Sequence, residues 1–430
     1  MIRSPVSRLG SALPLAAVFL SLLLGCVGRS PDHSEAGAAR SNVRTGADVL
    51  AAHDLERLQG KRVGLIVNPT SRTDTSHLID VVHRAPEVDL TALFAPEHGL
   101  EGRADAGASI DDSRDPRTGV RVYSLYGSSR QPPPAALDSL DVLVFDIQDI
   151  GARFYTYIST MGHAMQAAAR QNVPFLVLDR PNPLGGDRVA GFGLDSAHRS
   201  FVGEYPIPMQ HGMTVGELAR MIRGEGWMED LDDLDLRVVP VEGWSRSDQW
   251  PATGLSWIAP SPNIPTFETA LVYPGAVFFE ATAASEGRGT PDPFLLVGAP
   301  WADAQALADT LNARRLPGVR FEPATFTPSS RPGATAPKLE GQQLSGIRHV
   351  ITDPPAYRSV ATGVHVLHAF YHQAPSKRNF LSRPDWLVKL AGTERLLEML
   401  RTGERPPAII ETWQSEVESF RTRREPYLLY

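Results

Sequence analysis

One cysteine stands in 430 residues. An intramolecular disulfide and a cysteine metal cluster are therefore both excluded. Lysine is nearly as scarce: Lys61, Lys338, Lys377 and Lys389 are the only four among 42 basic residues. A genome rich in G and C produces that bias, and no function follows from it. With 42% hydrophobic and 21% charged residues, the chain is too polar for a bundle of membrane spans. A net charge of −7 argues against a nucleic-acid partner. Familiar fingerprints are missing as well. The first expected strand runs into Asn68-Pro69-Thr70 instead of a glycine-rich turn, so G-x-G-x-x-G dinucleotide binding has no support. There is no G-x-x-x-x-G-K-[ST] loop, no G-x-S-x-G elbow, no lysine preceded by serine three positions earlier and no H-E-x-x-H helix. The twelve histidines are scattered. Neither a metal nor a cofactor is required by anything in the chain.

What is present begins at the N-terminus. Arg3 and Arg8 precede an apolar run, Leu13–Leu24, shorter than the ~20 residues a membrane span needs. Together they read as a secretory signal peptide over 1–25. The run ends in Leu23-Leu24-Gly25-Cys26, which resembles a bacterial lipobox and implies cleavage before Cys26 and acylation of its thiol. An ordinary signal peptide with an incidental cysteine is the plainer alternative. Val27 favours outer-membrane sorting, and residues 26–43 read as a flexible tether. The expectation is an exported, periplasmic lipoprotein held to the membrane through Cys26.

From residue 44, apolar runs alternate with helical patterns. Strands are expected at Val63–Val67, Leu90–Phe94, Val120–Leu125, Val142–Phe145, Pro174–Leu178 and Leu236–Val241. Residues 156–171 carry Ile158, Met161, Met165 and Ala168 at helical spacing, and Thr214 with Glu217 forms a capping box. Such alternation gives an α/β layer with a parallel sheet over 44–235. Beyond about residue 240, Pro, Trp and Gly are frequent, and long ordered loops are expected through residue 300. Helices are expected at 301–315, 355–372 and through 385–423, with a strand near Val350. Residues 236–430 read as a smaller second domain.

Ligands of parallel α/β sheets bind beyond the carboxyl ends of the strands. Three polar clusters fall there: Pro96-Glu97-His98-Gly99, the run Asp146–Tyr157 with Gln148, Asp149, Arg153 and Tyr155, and Asp179-Arg180-Pro181-Asn182. Each has a bland counterpart. Glu97 suits a helix cap or a partner for Arg103, Asp146 a buried turn acid, and Asp179-Arg180 a structural ion pair. The three together favour a site. His211, Asn263 in a stiff proline loop, and Glu286 and Arg288 among glycines add candidates, whereas Glu280 reads as solvent-exposed. No serine or cysteine nucleophile sits in a familiar frame. Paired carboxylates with aromatic and amide neighbours suit glycosidic cleavage, in which one acid protonates the leaving oxygen and a second group attacks or activates water. Arginine is wanted if the sugar bears a carboxylate.

Several long motifs resemble the NamZ-type exo-β-N-acetylmuramidases of glycoside hydrolase family 171. They are Leu65–Thr70, Leu93–Gly99, Phe145–Tyr157, Asp179–Gly186, Ser261-Pro262-Asn263 and Ser285–Thr290. The likeness runs from about residue 48 to Tyr430. It implies a Rossmann-like catalytic domain, a smaller α+β C-terminal domain completing a cleft, and release of N-acetylmuramic acid from non-reducing ends of peptidoglycan fragments. Glu97 resembles the glutamate thought to be catalytic in that family. The sugar's lactyl carboxylate would explain a need for Arg153, Arg180 or Arg288. The resulting expectation makes Glu97 general acid and Asp146 the second acid, with Asp149 and Glu286 behind it, or the substrate's own N-acetyl group as nucleophile. His98, Gln148, Asp149, Arg153, Tyr155, Asp179, Arg180, Asn182, His211, Asn263, Glu286 and Arg288 are the candidate substrate contacts. A lipoprotein that only binds muropeptides and a nucleotide-dependent enzyme are the competing readings. The enzymatic one requires Glu97, Asp146 and Asp179 to gather around one open hollow.

Overall fold

A computed structural model describes residues 43–430 except 54, 106, 109, 110 and 128. The signal peptide, Cys26 and nearly all of the tether lie outside the described residues. Val43, the last tether residue, packs on Val241 and Trp244.

Among the described residues ten strands form two sheets. The larger contains β1 (Arg62–Val67), β2 (Asp89–Ala95), β3 (Ser113–Arg114), β4 (Arg121–Ser124), β5 (Val142–Asp146), β6 (Phe175–Leu178) and β7 (Leu236–Val239). Its order is β3-β4-β2-β1-β5-β6-β7. All neighbours are parallel except the short β3. Counting only the parallel strands along the chain, the order is 3-2-1-4-5-6, that of the doubly wound Rossmann fold. Both faces of the sheet are covered, which is why its central strands read as unbroken apolar runs. Val63, Leu65 and Val67 of β1 join one core with Leu93, Val144 and Leu176, while Ile66 joins the other with Phe94, Phe145 and Phe175. The helix Tyr157–Arg170 follows β5, and Val215–Gly224, started by the Thr214–Glu217 capping box, follows β6.

The smaller sheet is antiparallel: β8 (Leu296–Ala299), β9 (Val319–Phe326) and β10 (Leu344–Ile351), in the order β8-β10-β9. The stretch expected as loops up to residue 300 contains a helix, Phe267–Ala276. It is apolar on nearly every side, with Pro274 and Gly275 in its last turn, so it carries no amphipathic period. It crosses the helix Ser359–Gln373 at a glycine pair. A Cβ built on Gly363 would lie 2.3 Å from the Gly275 Cα. Both helices belong to the core that also holds Phe94 and Phe145. The two sheets thus share one apolar interior. β7 pairs with β6 in the large sheet, so a division placed after residue 235 separates β7 from its sheet.

The carboxyl edge of the large sheet is pinned by buried polar groups. Asp146, 0% exposed, takes two hydrogen bonds from the Arg180 guanidinium at 2.6 and 3.0 Å. Asp179, also 0% exposed, accepts from Thr214 Oγ1 at 2.7 Å, Gly216 N at 2.7 Å and Tyr430 Oη at 2.7 Å. Burial lifts its carboxyl from 3.8 to about 6 despite those donors. At the β1/β5 reversal, where this fold commonly takes a dinucleotide, the loops after the two strands are tied to each other. Ser71 Oγ donates to the Asp146 carbonyl, and Gln148 N donates to Thr70 Oγ1 at 3.0 Å.

Two outcomes follow. Gly363→Ala forces two packed helices apart and should lower the unfolding free energy by about 1–3 kcal/mol, read from urea denaturation. A loss below about 0.5 kcal/mol would contradict the crossing. The folded state holds the Asp179 proton more tightly than the unfolded chain does, so its contribution to stability falls as pH rises from about 4 to about 6. Asp179→Asn should flatten that part of the stability profile, and an unchanged slope would rule the assignment out.

Candidate active site

Beyond β2, Pro96 to Gly99 make a turn closed by Gly99 N–H on the Pro96 carbonyl at 3.0 Å. His98 occupies its φ-positive place at φ 70°, where glycine or asparagine is usual. His98 Nδ1 meets the Ala104 carbonyl at 2.7 Å, and this folds the following loop back over Glu97. Gly107 N–H then donates to Glu97 Oε1 at 2.9 Å. The other oxygen, Oε2, receives the Thr156 hydroxyl at 2.6 Å. Thr156 is the N-cap of the helix Tyr157–Arg170 but makes no capping bond with its side chain, so its hydroxyl is free for Glu97. Tyr126 lies alongside, its phenol held neutral first by burial and then by the Glu97 charge.

Glu97 opens onto a cavity of about 540 Å³ between the large sheet and the C-terminal half. Its floor is aromatic. Tyr273, from the helix Phe267–Ala276, packs against Phe154, Tyr155 and Phe294 with ring centroids at 5.5, 6.0 and 4.8 Å. Arg288 sits over Phe294 at 5.0 Å. Opposite Glu97 is a charge network: Arg288 to Glu280 at 2.7 Å, Arg288 to Glu286 at 3.4 Å and Lys338 to Glu286 at 2.6 Å. Lys338 also donates to the carbonyls of Phe279, Thr282 and Ala284 at 2.6, 3.1 and 2.7 Å. Burial pushes the Glu286 carboxyl up, but Lys338 and Arg288 outweigh it and hold the group below its usual value. Burial pushes the His98 imidazole down, keeping it neutral.

Of the expected site residues, Glu97, His98, Tyr155, Asn263, Glu286 and Arg288 line this cavity. The others do not, and the expectation of three carboxylates around one hollow is corrected. Asp146 and Arg180 are spent on each other. Asp179 is locked under the Thr214 helix start and Tyr430. Arg153, 0% exposed, donates to the carbonyls of Phe192, Ile207 and Leu390 at 2.8, 2.8 and 3.0 Å, so it ties loops together. Asn182 bridges the Met213 carbonyl at 3.0 Å and the Leu184 N–H at 2.9 Å. Asp149 accepts from Gly151 N at 2.6 Å and faces His211 Nε2 at 3.5 Å, both side chains buried. Gln148 donates to the carbonyls of Asp149 and Pro181 at 2.7 and 2.8 Å, and with Arg180 it borders a different hollow of about 350 Å³. All eight bond buried backbone or one another, while Gln148 Oε1, Asp149 Oδ1, Arg153 Nε and His211 Nε2 are buried without a hydrogen-bond partner.

The cavity also contains residues the motifs did not single out: Tyr126, Thr156, Glu280, Lys338, Arg383 and Trp386. Glu280 is not simply solvent-exposed, since it joins Arg288 to the Trp386 indole N–H at 3.2 Å. Thr156 lay inside a quoted motif, where a hydroxyl next to a helix start reads as a cap. Lys338 and Arg383 come from stretches with no local pattern, and Trp386 from an expected helix in which nothing marked it as a site residue.

Family models described as "Exo-beta-N-acetylmuramidase NamZ, N-terminal" and "C-terminal" match residues 63–268 and 271–430, dividing the chain later than residue 235. The chain is 42% identical over 402 residues to the peptidoglycan β-N-acetylmuramidase NamZ of Bacillus subtilis (strain 168), covering 93% of this chain and 94% of that protein. A crystal structure of a DUF1343 family protein from Bacteroides fragilis NCTC 9343 matches with a TM-score of 0.82 at 38% identity, over 91% of this chain and 100% of that one. A second such protein from the same organism matches with a TM-score of 0.73 at 32% identity, over 90% and 99%. With both halves of the family model matched in order across a single cleft, the chain belongs to the NamZ family of exo-β-N-acetylmuramidases.

Proposed function

We propose that the protein is an exo-acting glycoside hydrolase that releases N-acetylmuramic acid from the non-reducing ends of peptidoglycan fragments, with Glu97 as general acid. The observation that carries this reading is the placement of Glu97. It alone of the three expected strand-end acids faces the cavity, and two directed donors hold it in place. Gly107 N–H can only donate, so Oε1 is always an acceptor. The Thr156 hydroxyl can donate or accept, so Oε2 is the oxygen able to carry the proton. In the reaction Glu97 gives that proton to the glycosidic oxygen as the bond to the anomeric carbon breaks.

Asp146 has no access to a sugar, so the second role passes to Glu286, the candidate that does line the cavity and is held ionised by Lys338 and Arg288. It supplies negative charge as the ring carbon becomes cationic, or it orients the substrate's N-acetyl group to attack. The phenols of Tyr155 and Tyr273, pushed up by burial, are neutral at every physiological pH. They offer the sugar uncharged aromatic surface. We further propose that the chain is exported and acylated at Cys26, which places it beside its polymer.

Glu97→Gln should fold as the wild type and lose turnover of a chromogenic β-N-acetylmuramoside by about 10²–10⁴-fold. A variant with near-wild-type rates would reject the general-acid assignment. No sugar released by the wild-type protein from any muramoside would favour a binding-only lipoprotein. In a bacterial host, Cys26→Ser should abolish incorporation of labelled palmitate and move the protein from the membrane to the soluble fraction. Unchanged membrane retention and labelling would exclude the anchor.

A further inference from the structure

One of the cavity's three cations has no ion-pair partner among the described residues. The lining cations are Arg288, Lys338 and Arg383. Arg288 and Lys338 are already committed to Glu280 and Glu286, in a closed group of two cations and two anions. Arg383 has no carboxylate partner among the described residues, and its side chain is exposed to the cavity. It is nevertheless placed. Its backbone N–H donates to the Ala281 carbonyl at 3.0 Å, and its guanidinium lies over the Trp386 ring, 5.0 Å from the centroid. Trp386 is fixed in turn by its indole N–H on Glu280. A guanidinium over a ring face makes that contact through its π-face and keeps its in-plane N–H groups available as donors. That in-plane edge is the geometry that grips a carboxylate through two parallel hydrogen bonds.

We propose that Arg383, stacked on Trp386, is the residue that recognises the carboxylate of the acidic amino sugar and so selects it over the neutral N-acetylglucosamine. The inference rests on the proposed muramoside hydrolysis and names the group that sets its substrate. It replaces the expected roles of Arg153 and Arg180, which are buried against carbonyls and Asp146, and of Arg288, whose charge Glu280 and Glu286 consume. A substrate carboxylate approaching Arg288 must displace an existing pair, whereas at Arg383 it displaces only water.

The test compares wild type, Arg383→Ala and Arg383→Lys on three chromogenic substrates: the β-N-acetylmuramoside, its lactyl methyl ester and the β-N-acetylglucosaminide. Arg383→Ala should raise KM for the free acid about 10–100-fold, the loss expected for a hydrogen-bonded charge, with a much smaller change in kcat. Its losses on the ester and the glucosaminide should be much smaller than on the free acid, and Arg383→Lys should recover part of the KM. Equal losses on all three substrates, or an undiminished preference for the free acid, would overturn the proposal. Calorimetric binding of free N-acetylmuramic acid separates this failure from failure of the hydrolytic reading. Binding that weakens in Arg383→Ala supports the recognition role even if no bond is cleaved, and binding that is absent, or unchanged by the substitution, refutes it.

Discussion

The ring of Tyr273 is the contact on which the site depends. It comes from the C-terminal half and packs edge-on against Phe154 and Tyr155, which follow β5, and against Phe294, which precedes β8. The next residue after Tyr155 is Thr156, whose hydroxyl holds Glu97. Phe294 carries Arg288 on its face. One aromatic cluster therefore sets the distance between the acid and the opposing charges. Each such pair adds about 0.5–1.5 kcal/mol beyond its burial. More important is that rings at van der Waals contact leave little freedom to shift. The same apolar core continues from the large sheet into the helices Phe267–Ala276 and Ser359–Gln373, so the cleft is cut into a continuous interior.

That arrangement explains how the charged residues at the strand ends divide. Parallel strands that end inside a covered sheet leave backbone groups that need partners. Asp179, Arg180, Arg153, Asn182 and Gln148 supply them, and Asp146 holds Arg180 in place. Of the strand-end acids Glu97, Asp146 and Asp179, only Glu97, carried outward by a left-handed turn, lines the large cavity. The second set of charges comes instead from beyond residue 279, in loops that close over the sheet's edge. The cavity lining is thus split between halves: a carboxyl with neutral donors from one, an ionic network from the other.

Much of the fold was legible in the sequence. The six parallel strands appear within a few residues of the expected runs, because burial on both faces makes them continuous and apolar. The helix Tyr157–Arg170 and the capping box at Thr214 were readable for equally local reasons. The helix Phe267–Ala276 was not, since a segment buried on almost all sides loses its period and Pro274 reads as a breaker. Of the site, Glu97 and the Ser285–Thr290 loop were legible as motifs. The error at Asp146 and Asp179 has one cause. A motif records that a residue is constrained, but an acid locked to Arg180 or to a helix start is as constrained as one that binds a sugar. Arg383 and Trp386 left no signal because their meaning lies in what they approach in space.

The turn at His98 shows how the fold holds Glu97 in a place it would not choose unaided. A histidine at φ 70° costs of order 1–3 kcal/mol against an extended or helical conformation and persists only where its surroundings over-determine it. Here the Gly99–Pro96 hydrogen bond and the Nδ1–Ala104 contact do so. With the imidazole neutral, Nδ1 carries the proton donated to the Ala104 carbonyl and the ring adds no charge beside the acid. Relaxing the turn would swing Gly107 away from Oε1 and leave the carboxyl to the Thr156 hydroxyl and the Tyr126 phenol.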